Sequence, residues 1–243
     1  VHYLVLELVA GGSVGAALKR MRKLPERLSL EVIADTCRAL AEPHRLGIVH
    51  RDLKPDNMMF VRAGLELEAA PLGQIVKLGD FGIARIAEDV AGANAQQGMT
   101  REGAVLGTPE YMAPEQCQGA QVTPATDVYA LGCCMFTLIS GRPPFPATAD
   151  NPMAVILQQL REPPPRLDTI APDASPTVAN LVARCLEKDP RSRPADAAEV
   201  LAEIEQMCDG VAGLITAHPA PPVENEKRIV TYTFEWELQS SPD

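Results

Sequence analysis

A chain of 243 residues, 46% of them apolar, has enough hydrophobic mass for one globular domain and a tail, which excludes disorder throughout. Its 22 basic residues against 32 acidic ones leave a net charge of −10, a balance that repels a phosphate backbone and argues against nucleic acid as a partner. The six cysteines, at 37, 117, 133, 134, 185 and 208, form no Cys-x-x-Cys pair and share no metal-ligand spacing with the four histidines, so they read as reduced thiols of a cytosolic protein.

In chain order, Tyr3, Val5 and Glu7 alternate with Leu4, Leu6 and Leu8 in a run too apolar for an exposed strand, and a buried strand ending at Gly11-Gly12 is predicted. Ser13 precedes a helical stretch to about Met21. Ser29 is expected as the N-cap of a helix that carries Leu30, Ile33, Ala34, Cys37, Leu40 and Ala41 on one face. Pro43 near its end removes a backbone donor and clashes with the preceding turn at about 3 kcal/mol, so a kink or early stop is expected there. Met58 to Val61 and Ile75 to Leu78 read as short strands flanking a surface insertion at 62–74. Residues 87–105, rich in Ala, Gly and Gln, fit a long mobile segment.

Helices are predicted at 125–140, 152–160, 177–186 and 194–207, the last with Pro194 in its first helical position. The longest apolar run, Val128 to Ile139, holds about a dozen residues where a membrane span needs about 20, and no signal peptide is expected. After a Pro-rich linker at 217–223, Tyr232, Phe234, Trp236 and Leu238 alternate with Thr231, Thr233, Glu235 and Glu237, the period of a half-buried strand.

Three ordered motifs punctuate this pattern: His50-Arg51-Asp52-Leu53-Lys54-Pro55-Asp56-Asn57, then Asp80-Phe81-Gly82, then Gly107-Thr108-Pro109-Glu110-Tyr111-Met112-Ala113-Pro114-Glu115. The set resembles the Hanks-type serine/threonine protein kinases, particularly their bacterial branch, over residues 1 to about 208. The resemblance implies an α+β, protein-kinase-like fold, mainly its helical C-terminal lobe. Residues 1–13 are then the last N-lobe strand and the hinge, 14–208 the C-lobe, 209–227 a linker and 228–243 a strand-like tail. The run from Thr233 to Asp243 also resembles the opening strand of START-like, hydrophobic-cavity domains; the alternative is a strand that pads the kinase body.

Phosphoryl transfer needs an in-line hydroxyl, metal ions that neutralise phosphate oxygens, and a carboxylate that orients or deprotonates the nucleophile. By resemblance, ATP and Mg2+ are the cofactors and protein Ser or Thr hydroxyls the substrates. Asp52 then accepts the hydroxyl proton, Lys54 contacts the transferring phosphate, and Asn57 and Asp80 hold the magnesium ions, for which carboxylate and amide oxygens are suitably hard ligands. Taken singly, Asp52 also reads as a turn-capping aspartate. Lys54-Pro55 matches the serine/threonine version of the loop, and Thr108 agrees, because in that branch this threonine hydrogen-bonds toward the catalytic aspartate and lysine.

Arg51 marks the subclass in which a phosphorylated activation loop pairs with that arginine, and Thr100 beside Arg101 is the candidate phosphosite. Glu115 and Arg193 correspond to the family's buried ion pair, and Asp127 to the helix aspartate that anchors the catalytic loop. His50 and Phe81 resemble the lower half of the hydrophobic spine, and Gly82 closes the second motif. The backbone of Glu7 and Val9 corresponds to the adenine edge contacts and Met59 to the adenine floor.

The family's glycine-rich loop, phosphate-pairing lysine and helix glutamate all precede residue 1. A charge-assisted hydrogen bond is worth about 1.5 to 3 kcal/mol and about 1.4 kcal/mol is tenfold, so the isolated chain is expected to bind nucleotide weakly and to be nearly inactive. A non-catalytic interaction module is the second reading.

Overall fold

The computed structural model describes residues 2–61, 75–80, 108–147, 152–209 and 229–234, with 2–7, 208–209 and 229–234 described by their backbone alone. The expected insertion at 62–74, mobile segment at 87–105 and linker at 217–223 lie outside the described residues, as do Trp236 and Leu238.

Strand β1, His2–Glu7, stops short of the predicted end at Gly11-Gly12. Those two glycines instead lie against a second strand, β2 (Met58–Phe60): Gly11 N–H donates to the Phe60 carbonyl at 3.0 Å and Phe60 N–H to the Gly12 carbonyl at 2.9 Å. Helix α1, Val14–Met21, follows Ser13, whose hydroxyl accepts from Ala16 N–H at 3.0 Å in the ordinary N-cap manner. Gly15 in this helix lies close to the Asp56 side chain. A Cβ there would lie 2.5 Å from a carboxylate oxygen of Asp56, so a side chain would require the half-exposed Asp56 carboxylate to swing away.

Helix α2 spans Glu26–Arg45, four residues longer at its start than predicted. Ser29 is not its cap. Extended Pro25 precedes the first turn, and the Ser29 hydroxyl, now interior, donates back to the Pro25 carbonyl at 3.0 Å. The expected break at Pro43 is also corrected, because α2 runs through it and stops at Arg45. The missing donor costs one i→i−4 bond, and only His44 and Arg45 follow it in the helix, so little regular structure is left to distort. The chain closes tightly behind it, with Leu46 and Ile48 N–H both donating to the Pro43 carbonyl, at 3.0 and 2.8 Å.

β2 pairs antiparallel with β3 (Val76–Leu78), Met58 opposite Leu78 and Phe60 opposite Val76. Helices α3 (Pro114–Cys117), α4 (Pro124–Ser140), α5 (Pro152–Arg161), α6 (Leu167–Ile170) and α7 (Pro176–Cys185) follow. Helix α8, Ala197–Asp209, starts three residues after the predicted Pro194. The start belongs to Asp196, whose Oδ1 accepts from the N–H groups of Ala198 and Glu199 at 2.9 and 3.0 Å.

The core is built around α4, buried on every face from Ala125 to Ile139. A helix apolar all round belongs inside a fold, and here α2, α7 and α8 pack on it. Tyr129, Leu131, Met135, Phe136 and Leu138 are its most enclosed side chains, meeting Ile33, Leu40 and Leu181. Gly141, at φ 84°, ends α4 in the left-handed conformation that favours glycine. Among the described residues no helix is long and apolar enough to cross a membrane.

The tail run is a strand over Ile229–Phe234, β4, and pairs antiparallel with β1 from His2 opposite Phe234 to Glu7 opposite Ile229.

Candidate active site

The loop between α2 and the Pro55 turn carries the first motif. Asp52 and Lys54 are bonded to each other, Lys54 Nζ donating to Asp52 Oδ2 at 2.8 Å, with their side chains 34% and 21% exposed. Asn57, buried in the Pro55 turn, donates its amide N–H groups to the Asp52 carbonyl at 2.8 Å and to Asp52 Oδ2 at 3.2 Å. That orientation spends the amide nitrogen on Asp52 and leaves the amide oxygen as the ligand-capable atom. Gly79 N–H donates to the Asn57 carbonyl at 2.9 Å, which brings the next residue, exposed Asp80, to the same loop. Three polar side chains of one loop are thus bonded together, and a backbone bond ties to them the stretch that ends at Asp80.

His50 joins the two stretches. Its Nδ1 accepts from Asp52 N–H at 3.3 Å and its Nε2 lies 3.0 Å from the Gly79 carbonyl, so the tautomer satisfying both contacts carries its hydrogen on Nε2. The ring is wholly buried. β3 is fixed from the other side by Asp35 of α2, whose Oδ2 accepts from Ile75 and Val76 N–H at 2.6 and 3.2 Å. Arg51 and Asp80 both have left-handed backbones, at φ 69° and 53°, a strained state for such residues that persists only where the surroundings over-determine it.

Those surroundings are explicit for Arg51. Asp127 of α4 is 1% exposed, and its Oδ1 accepts from Arg51 N–H at 2.9 Å while Oδ2 accepts from His50 N–H at 2.7 Å. On the other side of the residue, Gln116 of α3 donates to the Arg51 carbonyl at 2.8 Å. Asp127 Oδ2 also faces Nε2 of buried His44 at 2.9 Å, and His44 Nδ1 accepts from Ala197 N–H at the start of α8 at 3.2 Å. An Asp127→Asn exchange puts an N–H group where at least one of these donors points. It is expected to destabilise the fold by about 1 to 3 kcal/mol, read as a lowered denaturant midpoint with an unchanged slope.

The second scaffold pair is also complete. Arg193 donates from Nη1 and Nη2 to the two Glu115 oxygens at 2.8 and 2.9 Å, and both residues are buried. Its remaining N–H groups go to the carbonyls of Ala125, Glu187 and Lys188, so all five guanidinium donors are used. Thr126 adds a hydroxyl donor to Glu115 Oε1 at 2.8 Å.

Met59 lies between buried Met58 and Phe60 and is itself only half-buried, so the period of two places it on the face of β2 away from the core. Glu7 ends β1 and Val9, half-buried, follows it. Thr108 opens the 3-10 turn Pro109–Tyr111, its carbonyl accepting from Tyr111 N–H at 3.1 Å; no hydrogen bond joins its hydroxyl to Asp52 or Lys54. Phe81, Gly82 and Thr100 lie outside the described residues.

No cluster of three His, Cys, Asp or Glu side chains suited to a metal occurs among the described residues. The donor set here is one amide and carboxylates on adjoining strands of chain, which fits a magnesium ion that keeps most of its ligands as phosphate and water oxygens. The buried thiols are not a reactive set, since burial raises all of those at 37, 133, 134 and 185, Cys185 to about 12.

A carboxylate that takes bonds from a lysine and an amide on one oxygen, with an exposed aspartate on the adjoining stretch, is a donor set compatible with a metal-bound phosphate. The chain belongs to the protein kinase family: the family model described as "Protein kinase domain" matches residues 1–205. It is 40% identical over 198 residues to a serine/threonine-protein kinase of Corynebacterium efficiens, covering 82% of this chain and 34% of that protein. Serine/threonine-protein kinase PknB of Mycolicibacterium smegmatis is 35% identical over 210 residues, covering 86% and 31% of the two chains. PknA of Mycobacterium tuberculosis is 40% identical over 191 residues, covering 79% and 39%. The chain therefore spans about a third of the length of these curated relatives.

Sequence reading missed His44, Asp35, Gln116 and Gln159. His44 and Gln159 did leave a signal, since each places a polar side chain on an otherwise apolar helix face, four residues after Leu40 and Val155 respectively.

Proposed function

We propose that residues 14–208 form the catalytic lobe of a cytosolic protein serine/threonine kinase that transfers the γ-phosphoryl group of Mg2+-ATP to Ser or Thr hydroxyls of proteins. The observation that carries this reading is the bonding of Lys54 Nζ and the Asn57 amide to one Asp52 carboxylate oxygen, at 2.8 and 3.2 Å, beside a segment that delivers Asp80. Bound Mg2+-ATP would supply the electrophilic phosphorus and the charge neutralisation.

The chain's own residues do the positioning. Asp52 is held by donors on its carbonyl and on one carboxylate oxygen, so its remaining oxygen lone pairs can orient an incoming hydroxyl and take its proton as the bond from that oxygen to the γ-phosphorus forms and the γ-phosphorus–oxygen bond to the departing ADP breaks. Lys54 stands as a cation next to that base, where charge develops on the transferring group. Asn57 and Asp80 offer an amide oxygen and a carboxylate as metal ligands. Lys54-Pro55, the serine/threonine relatives and the acidic net charge support Ser/Thr hydroxyls of proteins over tyrosine or nucleic acid as acceptors. The Glu7 and Val9 backbone with Met59 would receive the adenine, and phosphorylated Thr100 would pair with Arg51.

The test is incubation of the full-length gene product with Mg2+ and γ-labelled ATP and a general protein acceptor, followed by phosphoamino-acid analysis. Label in phosphoserine and phosphothreonine is expected. Transfer no greater than that of an Asp52→Ala control, or phosphotyrosine alone, overturns the assignment.

A further inference from the structure

One buried line of polar side chains plays no part in the reaction as described. Gln159 of α5 has 0% exposure. Its amide nitrogen donates to the carbonyls of Pro109 at 3.1 Å and Glu110 at 3.0 Å, and its amide oxygen accepts from the Tyr129 hydroxyl at 2.5 Å. Tyr129 of α4, equally buried, accepts in turn from Lys188 Nζ at 3.1 Å. Lys188 lies against the Phe145 ring, 4.7 Å from its centroid, and burial pushes its ammonium down to about 8.

An amide sealed among Val155, Ile156 and the α4 core is unfavourable unless its polar atoms are satisfied, and here both N–H groups and the oxygen are bonded. The satisfied partners are not random. Both carbonyls belong to the turn Pro109–Tyr111, directly after Thr108. The same helix that holds the catalytic loop through Asp127 holds this turn through Tyr129, two positions further along. One rigid element therefore sets the separation between the Asp52 loop and the Thr108 turn.

We infer that Gln159, braced by Tyr129, is a positioning residue for phosphoryl transfer: by gripping the Pro109 and Glu110 carbonyls it fixes the Thr108 turn relative to the Asp52 loop, which the same helix holds through Asp127. The inference rests on the kinase reading above. It predicts that the grip acts on the rate of transfer and leaves ATP binding alone, because among the described residues Gln159 has no hydrogen bond to Asn57 or Asp80.

The test compares kcat and KM, for a Ser/Thr peptide and for ATP, in the full-length gene product and its Gln159→Leu, Tyr129→Phe, Thr108→Ala and Thr108→Ala/Gln159→Leu variants. Gln159→Leu is expected to lower kcat about tenfold with the KM for ATP within about twofold of the parent. Tyr129→Phe keeps the ring and loses the hydroxyl, and is expected to lower kcat about threefold. Gln159→Leu should add little to Thr108→Ala, since it acts through the same turn. An unchanged kcat in a folded Gln159→Leu protein, or full additivity with Thr108→Ala, overturns the inference. Should Gln159→Leu not fold, an unchanged kcat in Tyr129→Phe does so alone. A parent protein without any phosphotransfer removes the kinase reading first and this one with it.

Discussion

Asp52→Ala in the full-length gene product is expected to lower kcat for Ser/Thr phosphorylation by about 10²- to 10⁴-fold, the range that a positioned general base contributes. The loss should exceed what removing the proton acceptor alone would produce. Lys54 Nζ and the Asn57 amide both bond to the deleted carboxylate, so their positions loosen at the same time. Asp52→Asn separates the two effects: it keeps an oxygen for Lys54 and removes the basicity. The KM for ATP should move little in Asp52→Asn, since the Gly79 N–H bond to the Asn57 carbonyl, which ties the Asp80 stretch to the loop, does not involve the Asp52 side chain. Steady-state kinetics on both variants, with thermal melts to verify folding, checks this, and a kcat within threefold of the parent for Asp52→Ala would contradict the assigned role.

Arg193→Met is expected to destabilise the fold by about 3 to 5 kcal/mol, because Glu115 is left as a lone charge in the interior and the carbonyls of Ala125, Glu187 and Lys188 lose their donor. For a domain of this size, each kcal/mol shifts Tm by about 2 to 4 °C, so a fall of about 6 to 20 °C should appear in a calorimetric melt. The companion Glu115→Gln keeps the shape and one acceptor, and should lose less. The double variant Glu115→Leu/Arg193→Met removes both charges and should recover part of the loss, whereas equal and additive losses would show that the ion pair is not the source. The face of Arg193 over the Tyr129 ring, 4.9 Å from its centroid, ties this pair to the same α4 segment that holds Gln159.

Much of this was legible in the primary structure where the governing interaction is local. Ser13 lies three residues from the N–H it caps, and Asp52, Lys54 and Asn57 share a loop so short that spacing alone put them together. The all-apolar run from Val128 announced a buried helix. Local signals were also overridden. Ser29 looked like a cap, but Pro25 had already started α2, and Pro194 looked like a first helical residue until the Asp196 carboxylate supplied a stronger start. Pro43 was expected to break a helix that in fact ends two residues later, where the absent N–H costs one bond.

The sequence by itself determined which residues are proposed to bring chemistry to this protein: the carboxylate, the lysine, the amide and the second aspartate, all singled out by type and order. Only the tertiary structure decided what holds them at working distance. Asp127 reaches the His50 and Arg51 amides across 77 and 76 residues, Asp35 reaches β3 across 40, and Gln159 reaches the Pro109 turn across 50. No periodicity encodes such separations, because a buried polar atom is satisfied by whichever partner the packed core brings near, and that is settled only when the helices close on one another.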